Sequence, residues 1–462
     1  MVLATALRLE DRLEELMRCS PFRVRLAALT VCSSCCLSGS PGRAAGPLED
    51  ALDGAVKFLA AGQNADGGYG PFGADSRVEN ASDVGITAFV VFAIARHPRG
   101  YATVDGPFLS RAVDFLLSHQ QPDGGFYHPK DPVLTNYRTC VALLALVELD
   151  RVAYAEQIRR ARDFVIAQQR DERIRYTAEE HLSFGSVGHS GALRGDLSNA
   201  AFAAEAMFAA GLSASEPFWK KLDTFVSRCQ NSPEVDPLLR KSGIGTTGNY
   251  GFRYAPNDTR GPKESLDDGS IAYSSYGSMT YQGLKSLLYA NVSKDDPRVR
   301  GAFEWISRTF TVKENPGMGA PGDPRAGLQG LFYYYHAMAK SLSVYGEPII
   351  EDERGVRHDW ARELSAHLIQ LQRPGGYWQN TSGRWWEDLP TLDTAYAMLA
   401  LSICGEEIAR REKAGTENPG GAPANPGGAP ANPGGAPAGA EKAAGVKPPE
   451  GAAARAGTGE KR

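Results

Sequence analysis

Nowhere in this 462-residue chain do lysines and arginines gather into a basic stripe; 50 of them stand against 54 acids, a net charge of −4. The electrostatic footprint of a nucleic-acid binder is missing. Cysteine is scarce, and four of the seven (Cys19, Cys32, Cys35, Cys36) precede Ser38. Cys140, Cys229 and Cys404 stand alone in apolar helical stretches, so there is no disulfide framework and each reads as a small core hydrophobe. The apolar run Leu26–Leu37 has 12 residues, too few to span a bilayer as a helix. His181 and His189 with Glu179 and Glu180 match no metal-ligand spacing and read as a solvated loop. Neither a metal nor another cofactor is expected.

Glycine (51) and proline (29) are plentiful but unevenly spread. From Ala414 to Arg462 there are 12 Gly and 8 Pro, with Val446 as the single large aliphatic residue. Ala-Asn-Pro-Gly-Gly-Ala-Pro recurs there at Ala424 and Ala431, a composition that forbids both helix and sheet ladder. Residues 413–462 therefore read as a flexible tail. At the other end, Arg18, Arg23 and Arg25 precede the apolar run, and Ser38-Gly-Ser-Pro-Gly42 follows it. That order is the signature of a secretory signal, so residues 1–45 read as a leader and the protein as exported, periplasmic or in the cell envelope. Residues before Met17 are acidic and amphipathic, which suits a signal poorly and suggests translation from Met17.

Between leader and tail, residues 46–412 carry an internal repeat. One unit reads Ala55-Val-Lys-Phe-Leu-Ala-Ala-Gly-Gln63 then Asp66-Gly-Gly-Tyr69. The next reads Ala112-Val-Asp-Phe-Leu-Leu-Ser-His-Gln120 then Asp123-Gly-Gly-Phe126. The register continues through Phe164 with Gln169, Phe225 with Gln230, Trp305 with Phe310, and His367 with Gln372. Glycine–aromatic pairs follow at Tyr250-Gly-Phe252 and Gly375-Gly-Tyr-Trp378; the third unit lacks one and the fifth has only Pro316-Gly-Met-Gly319. Each unit continues into a second helix, apolar nearly all round, whereas the first helix is apolar on one face only. Half-wet helices belong outside and dry ones inside. Because the terminal hairpins are as apolar as the rest, six hairpins are expected to close into a ring rather than stack openly. The predicted class is all-α, an α/α toroid with its termini close together.

The aromatic-(five)-Gln, Asp-Gly-Gly-aromatic and Asp-Thr-Ala set resembles the repeats shared by protein prenyltransferase β subunits and the squalene-hopene and oxidosqualene cyclases, over roughly residues 50 to 405. Ser275-Tyr-Gly-Ser-Met-Thr-Tyr-Gln-Gly-Leu-Lys285 looks, more narrowly, like exported bacterial members of that repeat family. The resemblance implies a toroid whose inner-helix N-termini line a central cavity, with the repeat glutamines bracing neighbouring helices. The cyclases protonate an alkene with the middle acid of Asp-x-Asp-Asp-Thr-Ala. Asp83-Val-Gly-Ile-Thr-Ala88 keeps the first Asp and has Gly85 at the donor position, while Pro390-Thr-Leu-Asp-Thr-Ala395 keeps only the last, Asp393. The prenyltransferases hold zinc with an Asp-x-Cys pair and a His; no Asp-x-Cys precedes an inner helix here, and Asp393 stands where the His would be.

The expected ligand is an isoprenoid or another long apolar molecule bound in the cavity, with its conversion there left open. Tyr276, Tyr281, Tyr333, Trp385 and Trp386 are the ligand-binding candidates, since aromatic faces suit either an apolar chain or a carbocation. Consecutive positions of Tyr333-Tyr-Tyr335 point to different helix faces, so at most one or two of them can reach a lumen. Asp393 and Asp83 are the candidate acids, although an Asp at a helix start also caps it. Two other functions fit the same residues: a non-enzymatic protein-interaction toroid, and a carbohydrate-active lyase-like toroid using Asn136-Tyr137-Arg138, His189 and Tyr276. A thioester toroid is excluded for want of Gly-Cys-Gly-Glu-Gln.

Overall fold

The computed structural model describes residues 46–70, 82–189, 195–319 and 322–417. The leader, the start at Met17 and the Pro/Gly-rich repeats lie outside them. Six helices alternate on the outside of the structure with six on the inside. The outer set comprises α1 (Pro47–Ala61), α3 (Pro107–Ser118), α5 (Ala155–Ala167), α7 (Pro217–Cys229), α10 (Pro297–Thr309) and α12 (Trp360–Leu371). The inner set comprises α2 (Val84–Ala95), α4 (Thr135–Asp150), α6 (Leu197–Ala209), α9 (Gly277–Tyr289), α11 (Leu331–Tyr345) and α13 (Pro390–Glu417). Four outer helices start on proline, which has no N–H to leave unsatisfied at a first turn. The last helix carries five residues that the sequence assigns to the tail.

The inner helices pack in sequence order, α2 on α4, α4 on α6, α6 on α9, α9 on α11 and α11 on α13, and α13 then packs on α2. The array is closed. Alanines 200, 201, 203, 204, 395, 397 and 400 are fully buried and allow that close approach. The first outer helix, α1, lies against α13 and α12, so both ends of the ring meet.

The glutamine column explains how neighbouring hairpins are held. Gln63 Nε2 donates to Gly67 O of its own turn and to Phe108 O at the start of the next outer helix. Gln120 does the same with Gly124 O and Gln157 O, Gln169 with Gly185 O and Phe218 O, and Gln230 with Tyr250 O and Arg298 O. Gln372, in the last unit, donates to Ala51 O of the first helix at 2.8 Å. One amide thus satisfies two carbonyls at four of the joints. The fifth unit has Phe310 instead, and its ring packs 4.9 Å from His358, just before α12.

Two departures from the repeat reading have steric causes. The third unit does have its glycine turn, at Gly185: φ is +79°, and a Cβ there would fall 1.8 Å from Lys221 O of α7. Only glycine fits. Its aromatic is replaced by the fully buried Val187. In the fourth unit Tyr250 takes the positive-φ position (61°), and the facing helix makes room with Gly301, whose Cβ would lie 2.2 Å from the Tyr250 ring. The glycine has moved from the turn to the helix.

The helical architecture also carries small sheets. Between Gln230 and Tyr276 an insertion forms helix α8 (Pro237–Lys241) and strands β1 (Ile244–Gly245), β2 (Lys263–Ser265) and β3 (Ile271–Tyr273), ordered β1-β3-β2. Ile244 pairs in parallel with Ile271, and Glu264 pairs antiparallel with Ala272. A second pair, β4 (Ile349–Glu351) and β5 (Arg357–Asp359), is antiparallel. These strands are two or three residues long and give the inserted backbone hydrogen-bond partners away from the ring. Among the described residues no helix is long and apolar enough to cross a membrane.

Candidate functional site

The N-terminal ends of all six inner helices open on one cavity of about 360 Å³. Asp83, Gly85, Ile86 and Phe89 reach it from α2; Leu134, Tyr137 and Arg138 from α4; Ser198 and Asn199 from α6. Tyr276, Ser278 and Met279 come from α9, Gly330 and Tyr333 from α11, and Leu392 and Tyr396 from α13. The loops add His189, Tyr254, Arg260, Trp385, Trp386 and Glu387. The walls are therefore largely aromatic.

Of the ligand-binding candidates, Tyr276, Tyr333, Trp385 and Trp386 line this cavity. Tyr281 does not: it is one position round α9 from Thr280, is 1% exposed, and packs edge-on to Tyr334 in the core. Of the triple tyrosine only Tyr333 faces the cavity; Tyr334 and Tyr335 are fully buried and donate to Thr311 O and Val312 O. Successive residues are about 100° apart round a helix, which leaves room for one in three. Asn136 also turns inward, donating to Asn199 Oδ1. Tyr137, Arg138, His189 and Tyr276 converge on the cavity. His181 accepts from Thr177 N, and no group of three or more metal-ligating side chains occurs among the described residues.

The two candidate acids have different surroundings. Asp83 is the N-cap of α2: Oδ1 accepts from Ile86 N at 2.8 Å, and Oδ2 pairs with Arg138 Nη2 at 2.6 Å. Arg138 also holds Asp131 at 2.8 Å. The carboxylate is fixed by a cap and a buried ion pair. Asp393 lies behind the wall, fully buried; Oδ2 accepts from Asn380 N at 2.7 Å and Oδ1 has no hydrogen-bond partner. Burial, and then the neighbouring Glu387, push its carboxyl well above the ordinary range.

Glu387 is the acid that sequence reasoning missed. It faces the cavity while 1% exposed, with Oε1 accepting from Tyr333 N and Oε2 from Phe332 N and Asn380 Nδ2. Helix α11 starts at Gly330 with no side-chain cap of its own, so Glu387 supplies one from the next unit. Burial nevertheless raises it to about 7, against the pull of those N–H bonds. Burial thus disfavours the charged form of both carboxyls. No repeat motif marks Glu387; the signal available is its place after Trp385-Trp386, in the loop before an inner helix.

The family pattern gives a register for the proton donor, and both of its positions face the cavity. They are Gly85 and Leu392. At Gly85 a Cβ would already lie 3.1 Å from Asp83 Oδ1 and 3.2 Å from Arg138 Cγ. Neither position carries an acid.

The floor is an aromatic layer. Phe89 packs 4.8 Å from Tyr396, and Tyr137 packs 4.5 Å from Phe202. The hydroxyls of Tyr137 and Tyr396 share a hydrogen bond of 3.0 Å, and Tyr333 OH meets Ser198 Oγ at 2.9 Å and accepts from Gln282 Nε2 at 3.0 Å. Below it lies His336, stacked on Tyr396 and pushed down to about 3 by burial. Deeper still, Glu205 pairs with the fully buried Lys285 and with Lys340 at 3.3 Å. Burial opposes ionisation of Glu205, but the two lysines hold it far below the usual carboxylate range. Arg96, with Glu148 and Glu406, continues this ionic layer. The lumen is open at the helix N-termini and filled at the other end.

No family model matches the chain. A segment of 76 residues is 45% identical to drimenyl diphosphate synthase of Streptomyces showdoensis; it covers 16% of this chain and 13% of the synthase. A crystal structure of a protein from Actinoplanes is 17% identical with a TM-score of 0.46, covering 78% of this chain and 99% of that one. The type II terpene cyclase MstE from Scytonema is 14% identical with a TM-score of 0.48, covering 78% and 98%. A D-mannose isomerase gives 13% and 0.48, covering 79% and 97%. Closed ring, repeat joints and a cavity at the inner-helix N-termini make the fold of this chain an α/α toroid.

Proposed function

We propose that the cavity binds an isoprenoid or another long apolar chain, and that it does so without cyclising an unactivated polyene. The observation that carries the reading is the lining: aromatic walls from five inner helices and the Trp385–Trp386 loop, with Gly85 and Leu392 at the two donor positions. A volume of about 360 Å³ falls at the small end of ligand pockets and suits one chain rather than a bulky polycycle. Protonating an isolated alkene needs a strong acid, whereas Glu387 at about 7 is a weak one. Such an acid fits hydrogen bonding to, or proton exchange with, an oxygen of the ligand. The short stretch shared with drimenyl diphosphate synthase agrees with an isoprenoid chain.

The lyase-like reading has one observation in its favour, the convergence of Tyr137, Arg138, His189 and Tyr276. Against it, Arg138 is already occupied by two carboxylates and is not free to neutralise a sugar acid.

Mass spectrometry of lipids extracted from native protein, together with farnesol titration followed by tryptophan fluorescence, tests the proposal. Trp219, Trp305, Trp360 and Trp378 are buried, so a ligand reports through Trp385 and Trp386. The expected result is a bound isoprenoid, saturable quenching, affinity lost about tenfold in Tyr276→Ala, and no cyclic product by gas chromatography when squalene is supplied. An empty protein with no quenching refutes binding; cyclic triterpenes abolished by Asp393→Asn refute the absence of cyclisation.

A further inference from the structure

The mouth of the cavity carries a charge that the apolar reading does not use. Around it, opposite charges are matched: Arg138 with Asp83 and Asp131, Arg260 with Asp258 at 3.2 Å, and His189 near Asp196 at 3.8 Å. Arg384 is different. Its guanidinium lies over the Trp385 ring at 4.3 Å and donates to Gln329 Oε1, and it has no carboxylate partner among the described residues. Burial, and then the positive charge of Arg260, lower its pKa. Arg260 lines the cavity, with its guanidinium 4.1 Å from the Tyr254 ring.

The backbone here is costly as well. Trp385 and Trp386 are consecutive non-glycine residues at φ +58° and +64°, the left-handed region that strains any residue with a Cβ. They are also 43% and 47% exposed, two large aromatic side chains held at the cavity lip. The turn that bears them is anchored from behind by Glu387 and Asn380, which ties it to the start of α11. Strain, exposed aromatic surface and an unmatched cation therefore coincide on one rim. The N-termini of six inner helices point their positive ends at the same cavity, which favours a negative group there.

We propose that the ligand is an amphiphile with a singly charged anionic head, a long-chain carboxylate, whose head is held between Arg384 and Arg260 while its chain lies along the aromatic wall. The inference rests on the apolar-chain reading above and deepens it. A single unmatched guanidinium suits one negative charge, and the planar fork of arginine matches a carboxylate in two-pronged geometry. Trp385 and Trp386 would then cover the first carbons of the chain, where head and tail meet.

Calorimetric titration with farnesol, farnesoic acid and farnesyl diphosphate, which share one chain and differ in head, tests it on the full-length protein. Farnesoic acid is expected to bind about tenfold or more tighter than farnesol at low salt. The preference should shrink as salt is raised, vanish in Arg384→Gln and return in part in Arg384→Lys. Equal binding of acid and alcohol overturns the proposal, as does a preference that survives Arg384→Gln, or a diphosphate that outbinds the acid. In each of those cases the chain still binds and the cavity reading stands. Failure of all three ligands to bind overturns both.

Discussion

Replacing Gln169 by alanine removes a joint between the third and fourth hairpins. The side chain is 2% exposed and donates to Gly185 O and Phe218 O, each at 3.0 Å. A neutral hydrogen bond contributes about 0.5–1.5 kcal/mol net, so the pair accounts for about 1–3 kcal/mol. Phe218 O keeps its place in the first turn of α7, whereas Gly185 O sits in a tight turn that water reaches poorly, so the upper half of that range is expected. Gln120→Ala removes the same two bonds at a half-buried site, where solvent can replace the amide, and should cost under about 1 kcal/mol. Gln372→Ala breaks a contact between residues 321 apart in sequence, which exists only if the ring is closed. Urea denaturation of the three variants gives the answer through the midpoint at constant slope. Equal losses at Gln120 and Gln169 would refute the burial argument, and an unchanged midpoint for Gln372→Ala would refute the part that closure plays in stability.

Two further expectations concern buried charge. Glu205→Gln leaves the fully buried Lys285 without its counter-charge and should cost about 3–5 kcal/mol, while the double change Glu205→Leu, Lys285→Met should recover most of that; a single variant losing less than about 1 kcal/mol counts against a tight pair. Glu387, raised to about 7 in the fold, binds more protons there than in the unfolded chain. Its contribution to stability is intact below about pH 4.5 and is lost as pH rises through 7, by about 2–3 kcal/mol, and Glu387→Gln should flatten that slope in urea midpoints measured at pH 5 and 7.5. A slope unaltered by the substitution would place the proton elsewhere.

The ring itself was legible in the sequence because it is made of local signals repeated in one register. Apolar periodicity separated wet outer from dry inner helices, and the aromatic-(five)-Gln spacing marked five of the six joints. The sequence also placed the aromatic cluster near the inner-helix starts and the missing acid at Gly85. What it could not supply was direction. Tyr281 and Tyr333 carry the same side chain near the starts of neighbouring helices, yet one turns to the core and the other to the cavity, since that choice depends on a helix's rotation against its neighbours. Asp83 and Asp393 look alike as motif remnants; packing gives one an arginine partner and the other a dry pocket. Gly185 fills the third unit's turn without its double-glycine signature, and Tyr250 is tolerated because a glycine across the interface, 51 residues on, makes room for it. Glu387 and Arg384 belong to no repeat, and their part at the cavity mouth arises from the packing of the sixth unit on the fifth, which brings the last loop against the start of the fifth inner helix. Local periodicity determined the helices and their order; the pairing of charges and the lining of the cavity were decided by contacts between residues far apart in sequence, which no local pattern encodes.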